Sequence, residues 1–362
     1  MLKLFEVSGF RNFHQKFTLD FSDVRDYKFN TDCIHNDLIK MLIVYGKNAV
    51  GKSNLGLAVF DLAAHLTEYY GTGADSYLNA DKKTVFAEFR YVFKFGADEV
   101  EYKYGKDGLR SLLYEQIKVN GVEVFTYDFK KQEGDFTGLK EYTTSLNFEF
   151  KGNKLSVLRY IVNNSSFDDS NPLKQLIMFV SHMLWYKYGD DNEYIGYKVV
   201  SSDYSSFIFK DNNLAEFEEL LQKAGVNERL KKIKSPTGEY ELYFNKSTPI
   251  SFHKGASSGT KALYTFFYWI KTRYISFLFI DEFVAFYHTA LSEMLVTTLK
   301  NNKFQTILTS HNTNLLTNRI MRPDCYFILT KDRLVSFAKA TTRELREGHN
   351  LEKLYLSNEF SN

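Results

Sequence analysis

Eight residues constrain this chain more than any others. Gly46-Lys47-Asn48-Ala49-Val50-Gly51-Lys52-Ser53 fit the pattern G-x-x-x-x-G-K-[ST]. The apolar run Met41–Tyr45 ahead of them reads as a buried strand. Behind them Leu55, Ala58, Val59, Leu62, Ala63 and Leu66 recur at helical spacing. A strand, a glycine loop and a helix in that order make an anion cradle. Glycine lets the backbone curl until successive N–H groups face one point, and the helix N-terminus adds partial positive charge. In such a cradle Lys52 reaches the β- and γ-phosphates of a nucleotide, and the Ser53 hydroxyl holds Mg²⁺.

The rest of the chain must build a core around that unit. Of 362 residues, 44% are hydrophobic and 17% aromatic, enough for one large domain. A net charge of +2 gives no global argument for nucleic acid. Cys33 and Cys325 match no metal or redox spacing, and a reduced, cytoplasmic protein is the expectation. No run approaches the ~18 apolar residues of a membrane span, and Met1–Glu6 has no apolar leader.

Taken in order, Leu2–Val7 and Phe17–Phe21 read as two strands flanking Gly9-Phe10-Arg11-Asn12-Phe13. Gly71-Thr72-Gly73 is the expected stop of the phosphate helix. From Thr84 to Phe129 the apolar period becomes two, and Asn120-Gly121 marks a hairpin turn, so an antiparallel meander is expected. Residues 130–250 read as mostly helical. Pro172 opens a helix expected to run through Met183 and Leu184, with Trp185 and Tyr186 in the core. Arg229, Lys231, Lys232 and Lys234 read as a solvated helix end, with a polyanion contact as the lesser alternative. Strands return at Ile275–Ile280, Thr306–Thr309 and Cys325–Leu329, and the tail Leu345–Leu356 reads as a short helical pair. With no linker or repeat, the expectation is one domain over 1–362. Its parts are an N-terminal lobe (1–129), a helical insertion (130–250) and a C-terminal lobe (251–362).

Three further stretches carry chemistry. Phe277–Glu282 is an apolar strand that ends in two carboxylates. Beside a phosphate loop, Asp281 is placed to tie down Mg²⁺, and Glu282 to orient and deprotonate the attacking water. Ser257-Ser258-Gly259 opens a helix; alone it is an ordinary serine cap, but small residues there also expose N–H groups to an anion. His311 follows a buried strand, where a lone histidine is usually structural but could also contact a γ-phosphate, and His288 raises the same question. The histidines and cysteines show no zinc spacing.

In this order the motifs resemble the ABC-class ATPases of the SMC/RecF/OLD type. Gly9-Phe10-Arg11-Asn12-Phe13 is similar to their N-terminal strand-turn, Gly46–Ser53 with Asn54 to their Walker A, Ala256–Thr260 to their signature, Phe277–Glu282 to their Walker B, and Ser310-His311-Asn312 to their switch histidine. Asp281–His288 and the tail Leu345–Leu356 look like the stand-alone ATPases of bacterial anti-phage systems, of the abortive-infection and PARIS- or Septu-like kinds.

The resemblance implies an α/β fold: a P-loop ABC-ATPase head with a mixed sheet, an inserted antiparallel meander and a helical middle segment. It implies ATP and Mg²⁺ as cofactors. Glu282, His311 and Lys52 would be catalytic, and Ser53 and Asp281 would hold the metal. Arg11, Asn12, Gly46, Lys47, Asn48, Ala49, Val50, Gly51, Lys52, Ser53 and Asn54 would contact the nucleotide. Ser257, Ser258 and Gly259 would do so from a second copy, in a head-to-tail homodimer or higher even oligomer. A separate effector, nuclease or toxin, would be the partner, with no membrane involved. Two alternatives stay open: a RecF-like DNA-binding repair ATPase, and an ATP-binding scaffold without significant turnover. The signature reads Ser-Ser-Gly-Thr instead of Ser-Gly-Gly-Gln, the D-loop aspartate is not evident, and Gln116 is only a weak Q-loop candidate. Slow or partner-stimulated turnover is the corresponding expectation.

Overall fold

The computed structural model describes residues 1–67, 77–81, 83–143, 150, 155–189, 194–196, 206–234, 238–271 and 274–360. Strands β1 (Leu2–Ser8), β2 (Phe17–Asp20), β3 (Ile34–His35), β4 (Leu38–Ile39) and β5 (Met41–Tyr45) lead to α1 (Lys52–Val59) and α2 (Asp61–Leu66). Next come β6 (Ala87–Phe95), β7 (Asp98–Lys106), β8 (Leu112–Val119), β9 (Val122–Asp128) and β10 (Glu133–Asp135), then α3 (Val157–Asn164) and α4 (Pro172–Ser181). The middle continues with β11 (Met183–Lys187), β12 (Tyr194–Gly196), α5 (Asn213–Lys223), β13 (Leu230–Lys234), β14 (Tyr240–Phe244) and β15 (Ile250–Ser251). The last third holds α6 (Phe252–Gly255), α7 (Ser258–Lys271), β16 (Phe277–Asp281), α8 (Thr289–Lys300), β17 (Gln305–Ser310), β18 (Tyr326–Leu329), β19 (Leu334–Ser336) and α9 (Leu351–Leu356).

Two seven-stranded sheets organise these elements. The first, in the order β10-β9-β8-β7-β6-β1-β2, is antiparallel throughout. Its period-two pattern puts Ala87, Phe89, Tyr91 and Phe93 on a buried face. The alternate residues form cross-strand ion pairs on the other face, such as Arg90 with Glu6 (3.0 Å) and Glu101 (2.6 Å). Asn120 and Gly121 make the β8–β9 turn with φ of 51° and 80°, the left-handed pair that a tight hairpin needs.

The second sheet runs β12-β11-β16-β17-β5-β18-β19; its five inner strands are parallel and its two edges antiparallel. Parallel strands covered on both faces read as unbroken apolar runs, and every residue of β5, β16, β17 and β18 is buried. Helices α1 and α2 lie between the sheets. A Cβ on Gly56 would stand 2.5 Å from Trp185 Nε1, so helix and second sheet touch at backbone distance. On the other side Tyr91 donates to Ala58 O (2.9 Å) from the first sheet. Gln305, fully buried, donates to Leu2 O (2.9 Å) and Ile39 O (3.0 Å), and its amide oxygen accepts from Leu2 N (2.9 Å). It thereby ties β1 of the first sheet to the foot of β17.

Several expectations change in detail. The middle segment carries helices α3, α4 and α5, and it also supplies strands β10–β15. The helix opened by Pro172 stops at Ser181, and Met183–Lys187 is a strand inside the parallel sheet. Arg229–Lys234 is not a helix end. Residues 230–234 form edge strand β13 of a three-stranded sheet with β14 and β15, and lysines on an edge blunt unwanted pairing. The tail forms one helix, α9, instead of two. Helix α2 ends at Leu66, and the Gly71-Thr72-Gly73 stop lies outside the described residues. No described helix is long and apolar enough to cross a membrane.

Candidate active site

The parallel sheet brings the carboxyl ends of β11, β16, β17 and β5 to one edge. Between β5 and α1 the loop rises from buried Gly46 through exposed Lys47, Asn48 and Ala49. Gly51 caps α1 with φ of 105°, a backbone that side chains rarely adopt. A Cβ there would also lie 2.1 Å from Asn12 Nδ2. The space is taken because Asn12 Nδ2 donates to Val50 O (3.0 Å) while Asn12 Oδ1 accepts from Asn54 Nδ2 (2.7 Å). Arg11, itself left-handed with φ of 45°, donates from Nη1 to Asn54 Oδ1 (2.8 Å). The Arg11-Asn12 turn thus braces the loop from outside. Burial, with the Arg110 charge nearby, pulls the Arg11 guanidinium below its ordinary range.

Lys52 is nearly buried and curls over the loop, donating to Gly46 O (2.8 Å) and Lys47 O (3.0 Å). Desolvation lowers the pKa of its ammonium, and the charges of Asp281 and Glu282 act against that. Ser53 donates to Asp281 Oδ2 at 2.5 Å. Thr309, on the neighbouring strand β17, donates to Asp281 Oδ1 at 2.5 Å, and its hydroxyl oxygen accepts from Glu282 N (2.9 Å). Asp281 is therefore fixed at both oxygens in a 2% exposed position.

Glu282 leaves the strand with φ of 53°. A left-handed non-glycine residue at a strand end is the kind of local strain that collects at working sites. This turn puts its carboxylate into a cleft of about 260 Å³ lined by Asn48, Ala49, Gly51, Lys52, Ser53, Asn54 and Glu282. Lys187 Nζ stands 3.3 Å from Glu282 Oε1. No local pattern marks Lys187 in the sequence, because it ends a short apolar strand that follows a helix after one residue.

Hydroxyl and carboxylate oxygens of Ser53 and Asp281 are hard donors of the type Mg²⁺ takes. Among the described residues no group of three His, Cys, Asp or Glu side chains converges on a metal. These two residues therefore fit an ion that arrives with phosphate and keeps its own water, as Mg²⁺ does.

The remaining expected residues sit elsewhere. His311 is exposed one residue beyond β17, at the same sheet edge, and makes no hydrogen bond among the described residues. His288 caps α8, its Nδ1 accepting from Leu291 N (3.3 Å). Gln116 lies on β8 of the other sheet and donates to Glu123 (2.5 Å), away from the loop. Ser257 caps α7: its Oγ accepts from Thr260 N (3.2 Å) and lies 2.9 Å from Thr260 Oγ1. Ser257 and Ser258 are exposed, and neither they nor Gly259 line the cleft of their own chain.

Three solved structures are similar over nearly the whole chain at low identity. The SMC head domain from Thermotoga maritima has 13% identity and a TM-score of 0.44, over 92% of this chain and 98% of that one. The SmcHead bound to the C-winged helix domain of ScpA has 15% identity and a TM-score of 0.46, over 93% and 97%. The Pyrococcus furiosus Smc head domain with an extended coiled coil, bound to the C-terminal domain of ScpA, has 13% identity and a TM-score of 0.46, over 100% and 99%. No curated protein matches the sequence significantly. The family described as "AAA domain, putative AbiEii toxin, Type IV TA system" matches residues 41–317, from the first residue of β5 to beyond His311. With a match over most of its length, from the phosphate loop through the Asp281-Glu282 strand, the chain belongs to that AbiEii-like AAA-domain family of P-loop proteins.

Proposed function

We propose that this protein is an Mg²⁺-dependent ATPase whose nucleotide closes two copies head to tail, and that the closed state controls a separate effector in anti-phage defence. One observation carries the reading. Lys52, Ser53 and Glu282 line one cleft, with Asp281 bonded to Ser53 behind it, while the exposed start of α7 at Ser257 and Ser258 contributes nothing to that lining. A site so built is complete on one side of a nucleotide and open on the other. Ser257 and the free N–H groups of α7 from a second copy suit the open side, as a helix N-terminus suits phosphate. ATP touching both copies would then shift the population toward the closed dimer.

Within the cleft the roles follow from placement. Backbone N–H groups of the loop and Lys52 hold the phosphates. Bound Mg²⁺, on Ser53 and Asp281, would supply charge neutralisation between phosphate oxygens. Glu282, fixed through its own N–H to Thr309, aims a carboxylate at the place where water attacks. The effector role draws on the anti-phage resemblance of the 281–288 and 345–356 stretches; the family description, which names a toxin-antitoxin system, supports the defence setting and names no separate effector. The DNA-gripping alternative has less behind it: Arg229 is paired with Glu218 (2.9 Å), and Lys232 sits 3.8 Å over the Tyr240 ring.

The test is Glu282→Gln. Steady-state phosphate release should fall by about a hundredfold or more, the usual weight of a general base, while ATP turns the variant into a stable dimer by light scattering. Wild-type turnover in Glu282→Gln refutes the base assignment. A wild-type chain that binds ATP and releases no phosphate favours the scaffold alternative.

A further inference from the structure

A second ammonium, without a function so far, pairs with a residue that lines the phosphate cleft. Strand β11 runs parallel to β16, in a register that sets Lys187 opposite Asp281. Its Nζ is 3.3 Å from Glu282 Oε1, and Glu282 lines the cleft with Ser53 and Lys52. The next residue, Tyr188, packs edge-on against Phe286 with ring centroids 4.8 Å apart. The backbone at Lys187 is therefore held by a strand on one side and by this ring contact on the other. Its side chain is 34% exposed, and a lysine stem anchored only at its base can swing.

Charge decides what that swing is for. Without nucleotide, Lys187 and Glu282 neutralise each other. A γ-phosphate placed on Lys52 and Ser53 brings further negative charge next to the Glu282 carboxylate. Two anions that close together repel unless a cation bridges them. An ammonium has three donors, so one can stay on Glu282 while another meets a phosphate oxygen. We propose that Lys187 binds the γ-phosphate of ATP and bridges it to Glu282, so that this lysine tells a nucleoside triphosphate from a diphosphate; the inference rests on the nucleotide reading of the cleft. A diphosphate has no terminal oxygen at that place, and with it Lys187 pairs with Glu282 alone.

The full chain, wild type, Lys187→Met and Lys187→Arg, is titrated with a fluorescent non-hydrolysable ATP analogue and with fluorescent ADP, both with Mg²⁺. Lys187→Met should weaken the triphosphate by about tenfold or more, the size of one charge-assisted hydrogen bond, and leave ADP within about twofold. Lys187→Arg should recover most of the difference. Equal weakening of both nucleotides, or of neither, overturns the inference while the nucleotide site stands. A wild-type chain that binds neither nucleotide overturns both.

Discussion

Helix α2, the second helix after the phosphate loop, is pinned to the meander by a buried ion pair, and breaking it should be costly. Lys106 Nζ lies 2.6 Å from Asp61 Oδ2, with side chains 2% and 8% exposed. Asp61 also accepts from Tyr77 OH (2.8 Å) and Tyr104 OH (2.8 Å), so every bond it has depends on this one arrangement. Lys106→Met keeps most of the length of the side chain and removes the charge, leaving a carboxylate buried with two phenols. Breaking one partner of a buried pair costs about 3–5 kcal/mol. At an unfolding entropy of roughly 2.1 cal/mol/K per residue, a chain of 362 residues should lose about 4–7 °C in Tm. The double variant Asp61→Asn with Lys106→Met removes the orphaned charge and should recover at least half of the loss. Thermal unfolding followed by circular dichroism reads all three proteins. A single variant within 1 °C of wild type, or a double variant no better than the single, refutes the account of how helix and sheet are joined.

Two further outcomes follow from the geometry. Burial, with the Lys106 charge beside it, holds the His65 imidazole well below its ordinary range. It stays neutral when folded, while an unfolded histidine takes a proton below about pH 6.5. The unfolded state then binds one more proton, so stability falls with acid below that pH by about 1.36 kcal/mol per unit from this residue. His65→Phe should remove that share from the slope of urea midpoints between about pH 6.5 and 5, and an unchanged slope counts against it. Gly51→Ala forces a Cβ onto Asn12 and a side chain onto a φ of 105°. Binding of the fluorescent ATP analogue should weaken by about tenfold or more with far-UV circular dichroism intact, and wild-type affinity would contradict the bracing role of Asn12.

The parts legible in the sequence are those written locally. The phosphate loop, the Asn120-Gly121 hairpin and the alternation of β6 each depend on residues a few positions apart. Buried runs such as Phe277–Asp281 are legible as strands because both faces are covered. Met183–Lys187 was not legible: it follows a helix after one residue, and a short apolar run has no period of its own to separate strand from helix. That ambiguity hid Lys187, whose place is set by pairing with a strand about ninety residues later. The basic run Arg229–Lys234 misled for the same reason, since strand and helix end both expose lysines. Asn12 could be named from the resemblance, but its contact with Gly51 exists only once the β1–β2 turn folds over the loop. Ser257 shows the limit from the other side. Capping and nucleotide contact ask for the same residue at the same place, and one chain displays only the cap.

The composite site is the central claim, and mixing tests it without any structure of a complex. Lys52→Ala disables the loop, and Ser257→Arg blocks the exposed helix start. Each variant alone should release no phosphate. Mixed in equal amounts, half of the dimers pair one of each, and in each of these one of two sites has both Lys52 and Ser257. Phosphate release should return to about a quarter of the wild-type rate per chain. No recovery on mixing, with both variants folded and able to dimerise, would contradict the account, as would full activity of Ser257→Arg alone.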